Sequence, residues 1–210
     1  MTVPEKYSWH FLPVKYFLSS YRAFSDAQVA ISLLEKEMQR ERTLISNWKV
    51  HWVGSCTLLR AAIDLFKVDA KICVSDQLAA SFDREWREIA ENRGQHEIFW
   101  KFLREERNNI IHEYKWSAYE IWLDNEGNQK SPSLVGLLMA KDELRSELVM
   151  KHGNYKGQSS LSVLLESSKW VESRIMAAIH GAGLTPDEER NLVSFSPRPT
   201  VDKSLIGHAE

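Results

Sequence analysis

An arginine, an asparagine, a histidine and a tyrosine stand at positions 107, 108, 112 and 114, inside the stretch ERNNIIHEYK that runs from Glu106 to Lys115. Isoleucines alone would pack a helix there, so the polar residues need a reason. Their chemistry is definite. An imidazole with an ordinary pKa of about 6.5 exchanges protons near neutral pH. A guanidinium offers a planar fork that fits phosphate oxygens, and an asparagine can orient either group. This is equipment for cleaving RNA by attack of its own 2′-hydroxyl on the adjacent phosphate, with the arginine stabilising the charge that builds on the phosphoryl oxygens. No metal or cofactor is needed for that step. Tyr114 can stack on a base or cap the core, and Lys101, Arg104 and Lys115 add positive charge to the same segment.

Placed on a helical wheel at about 100° per residue, Phe99, Trp100, Leu103, Ile110, Ile111 and Tyr114 fall in one arc, with Arg107 near its middle. An arginine among apolar neighbours must be paired or hydrogen-bonded. Glu105, Asn108 and His112 form a second, polar stripe beside the arc. About 140° separates Arg107 from His112, again at 100° per residue. One copy cannot easily aim both at a single small group, whereas two copies related by a two-fold axis at this helix could. A structural alternative stays open: Arg107 meets a carboxylate such as Asp64 or Glu106, and His112 is merely exposed beside it.

The motif RNNIIHEY resembles the R-N-x-x-x-H-x-Y form of the R-x-x-x-x-H signature of the HEPN superfamily. That signature lies on a late helix of a bundle of four or five helices, and members are commonly dimeric, metal-independent ribonucleases of toxin–antitoxin and other defence systems. The resemblance implies Arg107 and His112 as catalytic and Asn108 as their polar neighbour. It also implies that Tyr114 is a position open to nucleotidylation by a minimal nucleotidyltransferase antitoxin. The motif covers eight residues, and the architecture roughly the first 120. A looser match at Arg174 and His180 lacks the asparagine and the tyrosine, and His180 precedes a glycine at a helix end, where a cation meets the helix dipole favourably. That pair reads as structural.

The elements that must position these groups follow from periodicity. Apolar residues recur at three and four from Val14 to about Arg42, predicting one long amphipathic helix. A second runs from about Thr43 to Val68. Ser75 as N-cap and Gly94 as stop bracket a third over Asp76 to Asn92. Gln95 to about Lys115 is the fourth, carrying the motif. SAYEIWLDNEGNQK then reads as a short strand and turn, SPSLVGLLMAKDELRSELVMKHGNYKGQ as one or two short helices and a loop, and Ser159 or Ser160 opens a last helix through His180. The expected fold is all-α: an antiparallel bundle of four to five helices over residues 1–185, HEPN-like by resemblance, with a small irregular or hairpin insert at about 117–158 and a flexible tail at 186–210.

Bulk properties bound the function. With 210 residues, 43% of them hydrophobic, the chain can bury one sizeable core. Lysines and arginines number 27 against 29 acids, so nothing steers it over long range toward polyanions, and any nucleic-acid site must be a local patch. Cys56 and Cys73 lie in apolar helices and suggest a reduced, cytoplasmic protein. The longest apolar runs, such as LVGLLMA, are far below the roughly 20 residues that cross a bilayer, so no membrane partner is expected. Trp48, Trp52, Trp86, Trp100 and Trp170 read as core rather than as a stacking platform. His51 and Cys56 do not share a helix face, and G-x-S-x-G, H-E-x-x-H and Cys-x-x-Cys are missing, so no metal site or hydrolase of those classes is expected. Two classes remain: a ribonuclease acting on RNA as a toxin or defence effector, with a homodimer seam along the motif helix and an antitoxin or other defence partner, or a non-catalytic HEPN-like module that binds a nucleotide or a partner protein. Near-neutral charge favours the second or a narrow substrate.

Overall fold

The computed structural model of the chain describes residues 10–39, 45–130 and 144–199. Helices dominate it. In chain order it has β1 (Phe11–Pro13), a 3-10 turn (Val14–Phe17), α1 (Ser19–Met38), α2 (Ile45–Asp64), α3 (Phe66–Ile72) and α4 (Asp76–Glu91). A π-wound segment (Ile98–Leu103) follows and continues without a break into α5 (Arg104–Glu113). After it come β2 (Ala118–Leu123), β3 (Gln129–Lys130), β4 (Arg145–Met150), α6 (Ser160–Gly181) and β5 (Glu189–Asn191).

Local chemistry explains the main boundaries. Ser75 adopts extended backbone and its hydroxyl accepts the Leu78 amide at 3.4 Å, starting α4 as a serine N-cap does. α1 has no such residue at its own start, since Leu18 occupies the capping position. Its first amides are instead met from a distance: both carboxylate oxygens of Asp69, buried in α3, accept the Ser19 and Ser20 N–H groups at 2.9 Å each. The long first helix expected from Val14 is therefore shorter, because Pro13 and the 3-10 turn precede this remote cap.

α1 lies along α2, and α6 packs against both α1 and α4. The buried stripe of α6 (Val163, Leu164, Val171, Ile175, Ala178 and Ile179) meets Trp48, Trp52, Leu59, Phe82 and Phe99 in one continuous core. Trp48 and Trp52 stack at 5.1 Å in its middle, while Trp86, Trp100 and Trp170 border it, as the sequence suggested.

Two small antiparallel sheets correct the all-α expectation. In one, β3, β2 and β4 lie in that order, with Ala118 opposite Met150 and Leu123 opposite Arg145. The residues of β4, RSELVM, were read as helix, and the cross-strand partner decides otherwise. Part of that helix expectation, 131–143, lies outside the described residues. In the other sheet β5 pairs with β1, Phe11 opposite Asn191. The segment after Pro186, expected to be a flexible tail, is thus laid on the amino-terminal strand as far as the description reaches. Val14 N–H donates to Glu188 O, Phe195 packs edge-on to Phe17, and residues 200–210 lie outside the described residues.

Candidate active site

The π-wound segment and α5 turn their inner side, Phe99, Phe102, Leu103, Glu106 and Ile110, into the core. The surprise among these is the carboxylate. Glu106 is 2% exposed, accepts the Trp52 indole N–H at 2.7 Å, and accepts the Ser117 amide on both oxygens at 2.9 and 3.2 Å. One side chain thereby locks α5 onto α2 and folds the chain back after the helix. Its charge also adds to the burial that pushes the neighbouring Cys56 thiol well up from its ordinary range.

With Glu106 inside, its neighbour Arg107 cannot occupy the middle of the buried face. It lies on the flank, half-buried, and Ile111 and Tyr114, expected in the apolar arc, are 53% and 65% exposed. A wheel built only from apolar residues misplaces its centre when the central residue is a carboxylate. Of the structural alternative for Arg107, His112 is exposed as it requires, but neither of the two carboxylates named for Arg107 pairs with it. Asp64 is bound by Arg60, four residues earlier on α2, and Glu106 is satisfied by Trp52 and Ser117. Among the described residues no carboxylate pairs with Arg107; its Nη1 donates to Asn108 Oδ1 at 3.2 Å.

Glu105, Asn108 and His112 do share the wet side of α5, the first and last exposed and Asn108 half-buried. Arg104 is exposed too, its guanidinium 5.2 Å from the Trp100 ring. Arg60 on α2 completes a cationic spot that sequence spacing could not reveal. Burial is the first cause holding its guanidinium below the ordinary arginine range, Asp64 opposes that shift, and the charges of Arg107 and Arg104 add to it. Of the other candidates, Lys101 is held by Glu97 at 2.7 Å and Lys115 by Glu113 at 2.7 Å. The same Lys115 contact is the main cause lowering the Glu113 carboxyl below its usual value.

α5 ends at Tyr114, whose φ of 51° is left-handed. The Tyr114 and Lys115 amides reach back to Ile110 O and Asn109 O at 3.1 and 3.2 Å, closing the helix. Beyond this turn Tyr114 and Trp116 meet edge to face at 6.1 Å, and Lys49 Nζ lies 5.2 and 5.3 Å from their ring centres. The second arginine–histidine pair is separated in role as well as in place: Arg174 lies 3.6 Å from Glu85, and His180 is exposed in the last turn of α6. Among the described residues no helix is long and apolar enough to cross a membrane. No protein family, curated protein or solved structure matches this chain.

Proposed function

We propose that this chain is a metal-independent endoribonuclease of HEPN type with a HEPN-like helical bundle, acting as a toxin or defence effector, and that Arg107 and His112 are its catalytic pair. The reading rests first on one observation. Arg107 has no carboxylate partner among the described residues, although it is half-buried and close enough to Arg60 for the two charges to interact. A half-buried guanidinium with no carboxylate on it keeps donors free for an anion. A phosphate diester is the anion that the fork of Arg107, oriented by Asn108 Oδ1, suits best.

In this mechanism the 2′-hydroxyl attacks phosphorus, the bond from phosphorus to O5′ breaks, and the products are a 2′,3′-cyclic phosphate and a 5′-hydroxyl end. The proton leaving O2′ needs a base and the departing O5′ needs an acid. Two copies of His112 brought together by a two-fold axis along α5 supply both. Ile111, a large exposed hydrophobe between Arg107 and His112, favours such a seam, since covering it removes apolar area from water. A nucleotidyltransferase antitoxin modifying Tyr114 would reach an exposed hydroxyl.

Purified protein should cut single-stranded RNA in EDTA, leaving cyclic phosphate ends. His112→Ala should lower the rate about 100-fold or more and Arg107→Ala by a similar factor, with unchanged circular dichroism. Undiminished cleavage by folded His112→Ala would overturn the proposal. The net charge of −2 supports the alternative, a non-catalytic module that binds a nucleotide or partner protein through the same face. That reading requires that no RNA be cut and that His112→Ala keep its binding.

A further inference from the structure

At the carboxyl end of α5 a cleft of about 470 Å³ opens beside Tyr114, between the helix and the loop that follows β4. Its walls include Tyr114, Trp116, Asn109, Lys115, Lys151 and His152. We infer that this cleft is a subsite for one unstacked base of single-stranded RNA, with an adjoining phosphate held by Lys151. The inference rests on the ribonuclease reading and says where the substrate strand lies.

Its size, its lining and its position support it. The size fits a nucleotide-scale ligand, since sites for small molecules run from about 300 to 1,000 Å³. Two aromatic rings at right angles (87°) stand at its edge, one of them largely exposed, and a base can stack on one while meeting the edge of the other. Lys49 lies over both rings and adds positive charge beside them.

The polar groups are unspent. Among the described residues the side chains of Asn109, Lys151 and His152 make no hydrogen bond or ion pair, and Asn109 is half-buried at the cleft wall. An asparagine amide can donate to and accept from a base edge at once. Glu113 is already neutralised by Lys115, so with Lys151 the lining is positive overall.

The walls are also tied together. Glu106 accepts the Ser117 amide, and Ser117 O accepts the Lys151 amide at 2.6 Å, so the loop carrying Lys151 and His152 is anchored to the same carboxylate that seats α5. Finally, the cleft lies at the carboxyl end of the helix that carries Arg107 and His112.

The test uses the full chain and a fluorescent 2′-O-methyl oligonucleotide, which lacks the attacking hydroxyl, with binding followed by polarisation in EDTA. Trp116→Ala and Lys151→Glu should each weaken binding roughly tenfold or more. Lys71→Glu, in a separate groove between α3 and α4 that also holds an aromatic, Trp86, should leave it within twofold. Lys151 is exposed, so its substitution tests the subsite even if Trp116→Ala fails to fold. No binding by the wild type, wild-type affinity in Lys151→Glu, or equal weakening by Lys71→Glu would overturn the subsite. If the wild type cuts RNA and both cleft variants keep its KM, the subsite fails and the nuclease stands. If it cuts nothing yet binds through Trp116 and Lys151, the subsite stands and the nuclease fails.

Discussion

Glu106 and Arg107 are neighbours in sequence and opposites in structure. The carboxylate is sealed in the core with its oxygens taken by Trp52 and Ser117, while the guanidinium beside it flanks the surface, its one hydrogen-bond partner among the described residues being Asn108. A charge that is fully hydrogen-bonded inside a fold has its role accounted for by the fold. One that stays uncompensated near other like charges has a role still to be filled. The same contrast separates Asp69, whose carboxylate caps α1 from across the molecule, from Lys151 and His152, which touch no partner among the described residues.

The strongest way to break this contrast is to exchange the effects. Glu106→Ala leaves the Trp52 indole and the Ser117 amide without an acceptor in the interior, which costs about 3 kcal/mol or more. The loss should appear as a lower urea midpoint with an unchanged m-value. His112→Ala should leave the unfolding free energy within about 0.5 kcal/mol of wild type while removing RNA cleavage. If Glu106→Ala instead stays stable and His112→Ala unfolds the chain, the division of labour on α5 is the reverse of the one drawn here.

Next in size, Asp69→Ala removes a buried cap from two amides. About 2 kcal/mol of stability should be lost. Hydrogen exchange should show the first turn of α1 opening first, and cleavage by the folded fraction should not change. A fall in cleavage beyond the folded fraction would mean that α1 reaches the site and that spent groups are not confined to structure.

How far these roles could be read from residues alone follows from the physics of each signal. Ser75 announces a helix start because capping is local, whereas Ser159 precedes α6 without a side-chain cap, and the stripe of α6 repeats at helical spacing. The hairpin after Trp116 was legible in Asp-Asn-Glu-Gly-Asn, where Asp124 now receives the Glu126 and Asn128 amides. Asp69 as a remote cap was not legible, since nothing local links it to Ser19. β4 was not either, because Glu147 and Leu148 favour a helix and only pairing with β2 makes them a strand. At the site, the motif gave Arg107, Asn108, His112 and Tyr114 as neighbours. Burial of Glu106 was hidden by the rule that polar residues face water, and its placement moves Arg107 from the arc's centre to its edge. Lys151 and His152 come from a loop beyond the hairpin, so no spacing within the motif could have brought them to Trp116.

The smallest effect is the most discriminating. Tyr114 adopts φ 51°, a conformation that costs an ordinary side chain roughly 1–2 kcal/mol and glycine almost nothing. Glycine would end α5 more cheaply, so the ring should be there for something other than helix termination. Tyr114→Gly releases that strain and gives up the contacts with Trp116 and Lys49. The two changes oppose each other, leaving stability within about 1 kcal/mol of wild type or slightly above it. RNA binding and cleavage should fall in the same variant, because one wall of the base subsite is gone. A clear loss of stability with binding intact would place the tyrosine with Glu106 among the structural groups, and would move the boundary between the two faces of α5 past its last turn.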